Sequence, residues 1–99
     1  MRWWRSYKNR ESQFRVAMDP IEWTRHAREM LLERNIAEEW VFRAIRDSDY
    51  DETGDDGNMH YIKAIPEQGG RFLRVVVNPN VSPNRILTIF FDRRLGRKP

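Results

Sequence analysis

Apolar and polar positions alternate with two different periods along this chain, and the change of period divides it. From Trp23 the apolar residues recur at helical spacing through Ala27, Met30 and Leu31, a stripe on one face of an α-helix. Asp19-Pro20-Ile21-Glu22 carries the signature of a helix start, with Asp19 as N-cap, Pro20 at the first helical position and Glu22 placed to complete a capping box. The pattern predicts a first helix over Pro20 to Arg34, ended by Asn35 in the left-handed region. Ala37 to Asp47 repeats the period, with Trp40, Val41, Ala44 and Ile45 on one face and Glu38 and Glu39 near the positive helix end. Together the two segments predict a helical hairpin.

Beyond Asn58 the period drops to two. Strands are expected over His60 to Ile65, Arg71 to Asn78 and Arg85 to Asp92. The first two are joined by Pro66-Glu67-Gln68-Gly69-Gly70, whose glycines suit a hairpin, and the last two by the wider turn Asn78 to Asn84. Short connections imply an antiparallel meander. Leu73, Val75 and Val77 share one face of the middle strand, and Phe72, Arg74, Val76 and Asn78 share the other, the mixed face of a half-covered sheet. Phe14, Val16 and Met18 also alternate, so Gln13 to Met18 reads as a further edge strand. The fold class is therefore α+β, an N-terminal helical hairpin packed on an antiparallel sheet of three or four strands.

Ninety-nine residues support one domain around one core. The expected organisation is a basic aromatic extension over 1–18, a single α+β domain over 19–94 and a basic tail over 95–99. Hydrophobic residues make up 39% of the chain, enough for packing, and the 33% charged share makes the surface very polar. No cysteine is present, which excludes disulfides, thiolate metal sites and a thiol nucleophile. Met1 to Arg15 is too charged for a signal peptide, and no run approaches the ~20 apolar residues of a membrane span. A cytoplasmic protein without membrane contact is expected.

The net charge of +3 hides a strong asymmetry. Met1 to Met18 holds five basic residues and one acidic; Asp19 to Ser48 holds five and seven; Asp49 to Asn58 holds five acids and no base; Met59 to Pro99 holds eight basic and two acidic. Basic ends around an acidic middle fit either one positive face offered to an anion, nucleic acid being the commonest, or a solvated surface with basic tails. The acidic stretch is read as an exposed loop. Asp47, Asp49 and Asp51 alternate as in a calcium loop, but Glu52 stands where the turn glycine belongs and Asn58 where the bidentate carboxylate belongs.

Arg25, His26 and Arg28 crowd one turn of the first predicted helix. Cleaving RNA without a metal needs a base for the 2′-hydroxyl, an acid for the leaving oxygen and cations for the charged phosphorane. Imidazole as a side-chain type changes charge near neutral pH, so His26 fits the acid–base role, with Arg74, Lys63 and Arg34 as its catalytic partners and Tyr61 and Asp92 as weaker acid–base candidates. Arginine holds phosphate with a bidentate fork. Arg71, Arg28 and Arg25 are candidate nucleic-acid contacts, and so are Trp3, Trp4 and Arg5, an interleaving of indoles and cations that stacks on unpaired bases while neutralising phosphates. This chemistry calls for no metal and no cofactor. Each residue also has a structural reading: His26 flanks the apolar stripe, Arg71 and Arg74 suit ion pairs with Glu33 or Glu39, and the tryptophans suit a tail docked on its own domain or on a second copy.

Five segments, His26-Ala27-Arg28-Glu29-Met30, Arg34-Asn35-Ile36 followed by Val41 and Ala44-Ile45, Arg71-Phe72-Leu73-Arg74-Val75-Val76-Val77, Ile86-Leu87-Thr88-Ile89 and Asp92-Arg93-Arg94, resemble in order and spacing the bacterial domain-of-unknown-function 4258 family. The resemblance covers Trp23 to Arg94. It implies a histidine-bearing helix, a second helix and a three-strand meander, similar to compact toxins of the RelE, ParE and BrnT type. By that analogy the expected function is a toxin-like RNA-binding protein acting as a metal-independent endoribonuclease, with RNA as substrate and an antitoxin as protein partner. The alternative is a non-catalytic protein-interaction module, or a homodimer joined through its aromatic N-terminus.

Overall fold

The computed structural model describes residues 21–96. In chain order the elements are β1 (Ile21–Trp23), α1 (Arg25–Glu33), α2 (Glu38–Arg46), β2 (Tyr50–Thr53), β3 (Met59–Ile65), a short 3-10 turn (Pro66–Gln68), β4 (Arg71–Asn78), β5 (Asn84–Phe91) and α3 (Arg93–Gly96). The strands form one five-stranded sheet in the order β1-β5-β4-β3-β2. From β2 to β5 the pairing is antiparallel, as the short connections require, and β1 joins β5 in parallel. A mixed α/β sheet thus replaces the expected antiparallel sheet of three or four strands.

The helical hairpin does not open the described chain, because a strand precedes it. Where a helix from Pro20 was expected, Ile21–Trp23 runs extended along β5, with Ile21 and Trp23 packed against the core and Glu22 turned out to Arg85 at 3.1 Å. Pairing with a strand more than sixty residues away overrides the local capping signal. Thr24 is the actual N-cap: its backbone is extended and its hydroxyl accepts from Ala27 N at 3.0 Å. The far end of α1 follows the sequence, since Asn35 has φ 56. Asn35 N donates to Leu32 O and Ile36 N to Leu31 O, the paired bonds of a Schellman end.

Neither was the acidic stretch only a loop. Tyr50–Thr53 pairs antiparallel with β3, Glu52 opposite His60 and Tyr50 opposite Ile62. Its acidic residues disguise it as loop in sequence, yet charge is normal on an edge strand, where it discourages further pairing. The expected edge strand at Gln13 to Met18, the cap residues Asp19 and Pro20, and the basic aromatic extension all lie outside the described residues.

Both long helices lie on one face of the sheet, α1 over β5 and α2 over β3 and β4. Ala27, Ile36, Val41 and Ala44 meet Ile65, Leu73, Val75, Val77, Ile86 and Ile89 in the core. Each fully buried Leu, Ile or Val there contributes about 1.5–3 kcal/mol. Alternation sends Phe72, Arg74 and Val76 to the opposite face. Opposite the Val76/Val77 step β5 carries a bulge: Val76 pairs with Thr88 and Val77 with Ile86, leaving Leu87 extra.

Candidate functional site

The bulge in β5 anchors the start of α1. Thr24 N donates to Ile86 O at 3.0 Å and Thr24 Oγ1 to Leu87 O at 3.0 Å, while the same hydroxyl caps Ala27. This threonine therefore stitches the helix N-terminus to the irregular stretch of the strand. His26, in the first turn, is exposed and places Nε2 3.1 Å from Thr88 Oγ1. Arg25 and Arg28 flank it, both exposed. Arg28 stacks over the Trp23 ring at 5.5 Å, and neither arginine has a carboxylate within ion-pair distance among the described residues. The first turn of α1 holds no acidic residue. Arg34 is exposed too, but it caps the far end of α1, eight residues and about 12 Å further along the axis.

Arg74 lies in a different setting. On the helix-free face its Nε and Nη2 each lie 2.9 Å from Asp92 Oδ2, and its Nη1 donates to Glu52 Oε2 at 3.1 Å and to His60 Nδ1 at 3.0 Å. The side chains of Arg74 and Asp92 are 10% and 2% exposed. A guanidinium only donates, so Nδ1 of His60 is an acceptor and the proton of the neutral ring sits on Nε2. That atom is buried without a hydrogen-bond partner, 3.8 Å from Asp56 Oδ1. Gly54 explains how the ring fits: a Cβ there would stand 2.5 Å from Nε2, so only glycine lets the hairpin close over it.

Asp92 also receives Arg94, from Nε at 3.2 Å and from its backbone N at 3.1 Å. Burial pushes the Asp92 carboxyl up, but the bonds from Arg94 and Arg74 outweigh it and hold it below the usual carboxylate range. The backbone N–H of Asn58 does the same for Asp56. Arg74 thus joins β2, β3, β4 and the end of β5 in one closed network. The ion pairs with Glu33 or Glu39 that its sequence context allowed are replaced by partners from β2 and β5.

Lys63 is on the helix-packed face, opposite Leu73, where its ammonium lies 3.3 Å from Asp47 and 3.5 Å from Asp49. The structure therefore does not bring His26, Lys63 and Arg74 into one cleft: Lys63 and Arg74 leave opposite faces, and His26 stands at the β5 margin. Arg71 is exposed at the start of β4 and stacks over Phe91 at 4.4 Å. Tyr61 faces the core side, and burial, reinforced by Asp51, raises its hydroxyl pKa. Trp3, Trp4 and Arg5 lie outside the described residues. Sequence reading passed over His60 and Glu52 as site members. Their signal is the alternation that places both on the Arg74 face, legible only once β2 is known to be a strand.

Elsewhere the surface is tied by exposed pairs. Arg43 bridges Glu39 at 3.1 Å and Glu67 at 3.0 Å, and the Arg43 hydrogen bond brings the Glu67 carboxyl down to about 2. Among the described residues no three His, Cys, Asp or Glu side chains gather in a manner suited to a metal ion, and no helix is long and apolar enough to cross a membrane.

Comparison with known proteins yields one family model, described as Domain of unknown function (DUF4258), which matches residues 23–91. No curated protein and no solved structure matches the chain.

Proposed function

The chain belongs to the DUF4258 family, and from the geometry of α1 we propose that it is a toxin-like RNA-binding protein that contacts phosphates through Arg25, His26 and Arg28. One observation carries this reading: these three groups are exposed within the first turn of a helix, either side of the buried Ala27, with no carboxylate partner among the described residues, on a backbone stitched to β5. Cations already bonded to carboxylates, as Arg74, Lys63 and Arg43 are, offer little to an incoming phosphate. Unpaired exposed arginines give up only water and counterions on binding.

Cleavage is the second step of the proposal. In it His26 takes the 2′-hydroxyl proton as the 2′-oxygen attacks phosphorus, Arg25 and Arg28 stabilise the charged phosphorane, and the P–O5′ bond breaks as the leaving 5′-oxygen takes a proton from solvent water, giving a 2′,3′-cyclic phosphate and a 5′-hydroxyl. The test uses labelled single-stranded RNA in chelator. Anisotropy reads binding at several salt concentrations and a gel reads fragments. Binding that weakens with salt and falls roughly tenfold in Arg25→Ala/Arg28→Ala supports the RNA reading. Fragments that disappear in His26→Ala, with binding kept, support the ribonuclease. Binding without fragments leaves an RNA-binding protein, and absence of binding removes both readings. A protein-interaction module is the remaining reading, favoured by Leu32, which is 78% exposed on the same helix.

A further inference from the structure

Three successive residues of β5 receive three bonds from the start of α1. Thr24 N donates to Ile86 O and Thr24 Oγ1 to Leu87 O, and His26 Nε2 lies 3.1 Å from Thr88 Oγ1. The bulge makes the third bond possible. Strict alternation would put Thr88 on the face of Ile86, yet Ile86 and Ile89 are both fully buried in the core, three residues apart, and Thr88 pairs with Val76 of the helix-free face. The extra Leu87 therefore turns the Thr88 hydroxyl out of the core, at the stretch of β5 where β1 has ended and α1 begins. Among the described residues His26 is the only hydrogen-bond partner of that hydroxyl. Both ends of the bond stand on backbone that the Thr24 bonds fix, so the ring is oriented although it is exposed.

We propose that Thr88 is the positioning residue of His26: its Oγ1 accepts the Nε2 proton and fixes the neutral ring as the Nε2–H tautomer, leaving Nδ1 as the atom that takes the 2′-hydroxyl proton. The catalytic half of this inference rests on the ribonuclease reading; the tautomer does not. A hydroxyl either donates or accepts, and here the two arrangements differ in consequence. With Thr88 donating, the ring proton sits on Nδ1 and neither nitrogen keeps a free lone pair for a substrate. With Thr88 accepting, Nδ1 keeps its lone pair, and the Nε2–H bond to Thr88 survives in both charge states because both nitrogens of an imidazolium donate. Proton transfer then breaks the O–H bond of the 2′-hydroxyl and forms Nδ1–H with no turn of the ring or of the hydroxyl. The hydroxide left when solvent water protonates the 5′-oxygen takes that proton back, and the ring returns neutral. In general the hydrogen bond made by one ring nitrogen decides which proton the other can exchange.

The test is long-range proton–nitrogen NMR of the imidazoles in the nitrogen-15-labelled full-length chain, at a pH where both rings are neutral, beside cleavage of labelled single-stranded RNA in chelator. The chain has two histidines, and His26→Ala assigns their signals. In the parent, His26 is expected to show a protonated Nε2 and an unprotonated Nδ1. Thr88→Val, nearly the same shape without the hydroxyl, is expected to bring in the Nδ1–H form and to lower the cleavage rate about tenfold at unchanged RNA affinity, a smaller loss than the roughly hundredfold or more that removing the base brings. Thr88→Ser keeps the hydroxyl and is expected to restore both. His60, whose Nδ1 accepts from Arg74, is expected to keep its Nε2–H form in every variant and so reports an intact fold. A parent His26 ring with its proton on Nδ1 overturns the proposal, and so does a tautomer that Thr88→Val leaves unchanged. Cleavage by Thr88→Val at the parent rate despite a changed tautomer overturns it too. The expected tautomer response in a chain that leaves RNA whole supports the hold of Thr88 on the ring and removes the ribonuclease reading alone.

Discussion

Arg74 and the Arg25–His26–Arg28 turn both carry guanidinium charge, and the fold surrounds them in opposite ways. Arg74 is clasped by Asp92, Glu52 and His60 on the helix-free face, nearly out of water. Arg25 and Arg28 are exposed, with no carboxylate within ion-pair distance among the described residues. The lesson is that the availability of a cation is set by what the fold places around it. A buried guanidinium among carboxylates ties strands together, and the same group exposed on a helix start keeps its donors free for an incoming anion.

The largest effect expected from breaking this contrast is at Arg74. Arg74→Met leaves the buried Asp92 with the exposed Arg94 as its remaining charge partner and is expected to lower unfolding free energy by about 3 kcal/mol, read by urea denaturation. RNA affinity, measured where the variant is still folded, is expected to remain; its loss would show that Arg74 serves the ligand and erase the distinction. Next is Arg25→Ala/Arg28→Ala, with RNA affinity falling roughly tenfold and the slope of log affinity against log salt falling by about 1.4, two phosphate contacts on a single strand. Its unfolding midpoint is expected to move little, within about 1 kcal/mol for the lost stacking of Arg28 on Trp23. A stability loss as large as that of Arg74→Met would make the turn structural as well.

Thr24→Ala sharpens the comparison at the anchor. It removes the cap on Ala27 and the bond to Leu87 O, and is expected to cost about 1 kcal/mol, with RNA affinity reduced because the turn is no longer held. The smallest effect at neutral pH is the titration of Asp92. Its folded-state pKa is depressed, so its stabilisation is present above the unfolded value near 3.9 and is lost as pH falls through the folded value. Stability is therefore expected to drop between pH 5 and pH 2, and the drop is expected to be smaller in Asp92→Asn. An equal drop in both would assign acid sensitivity to other carboxylates, Glu67 among them.

Local pattern was enough for the helices and the meander. The apolar stripe placed Ala27, Val41 and Ala44 in the core, period-two alternation sorted Leu73, Val75 and Val77 from Arg74 and Val76, and Asn35 ended α1 as its tolerance for positive φ requires. These features depend on neighbours within one or two turns, so they are written in adjacent residues. Long-range pairing alone decided the rest. Ile21–Trp23 became a strand because β5 offered an unpaired edge, and Tyr50–Thr53 became one because β3 supplied partners for an acidic stretch whose composition reads as loop. The partners of Arg74 followed from the same event, since Glu52 meets it only when β2 pairs with β3 and Asp92 only at the end of β5. Hydrogen bonds and ion pairs between strands far apart in the chain leave no periodic trace in either strand, which is why the identity of the charged residues was legible and their division between clasp and surface was not.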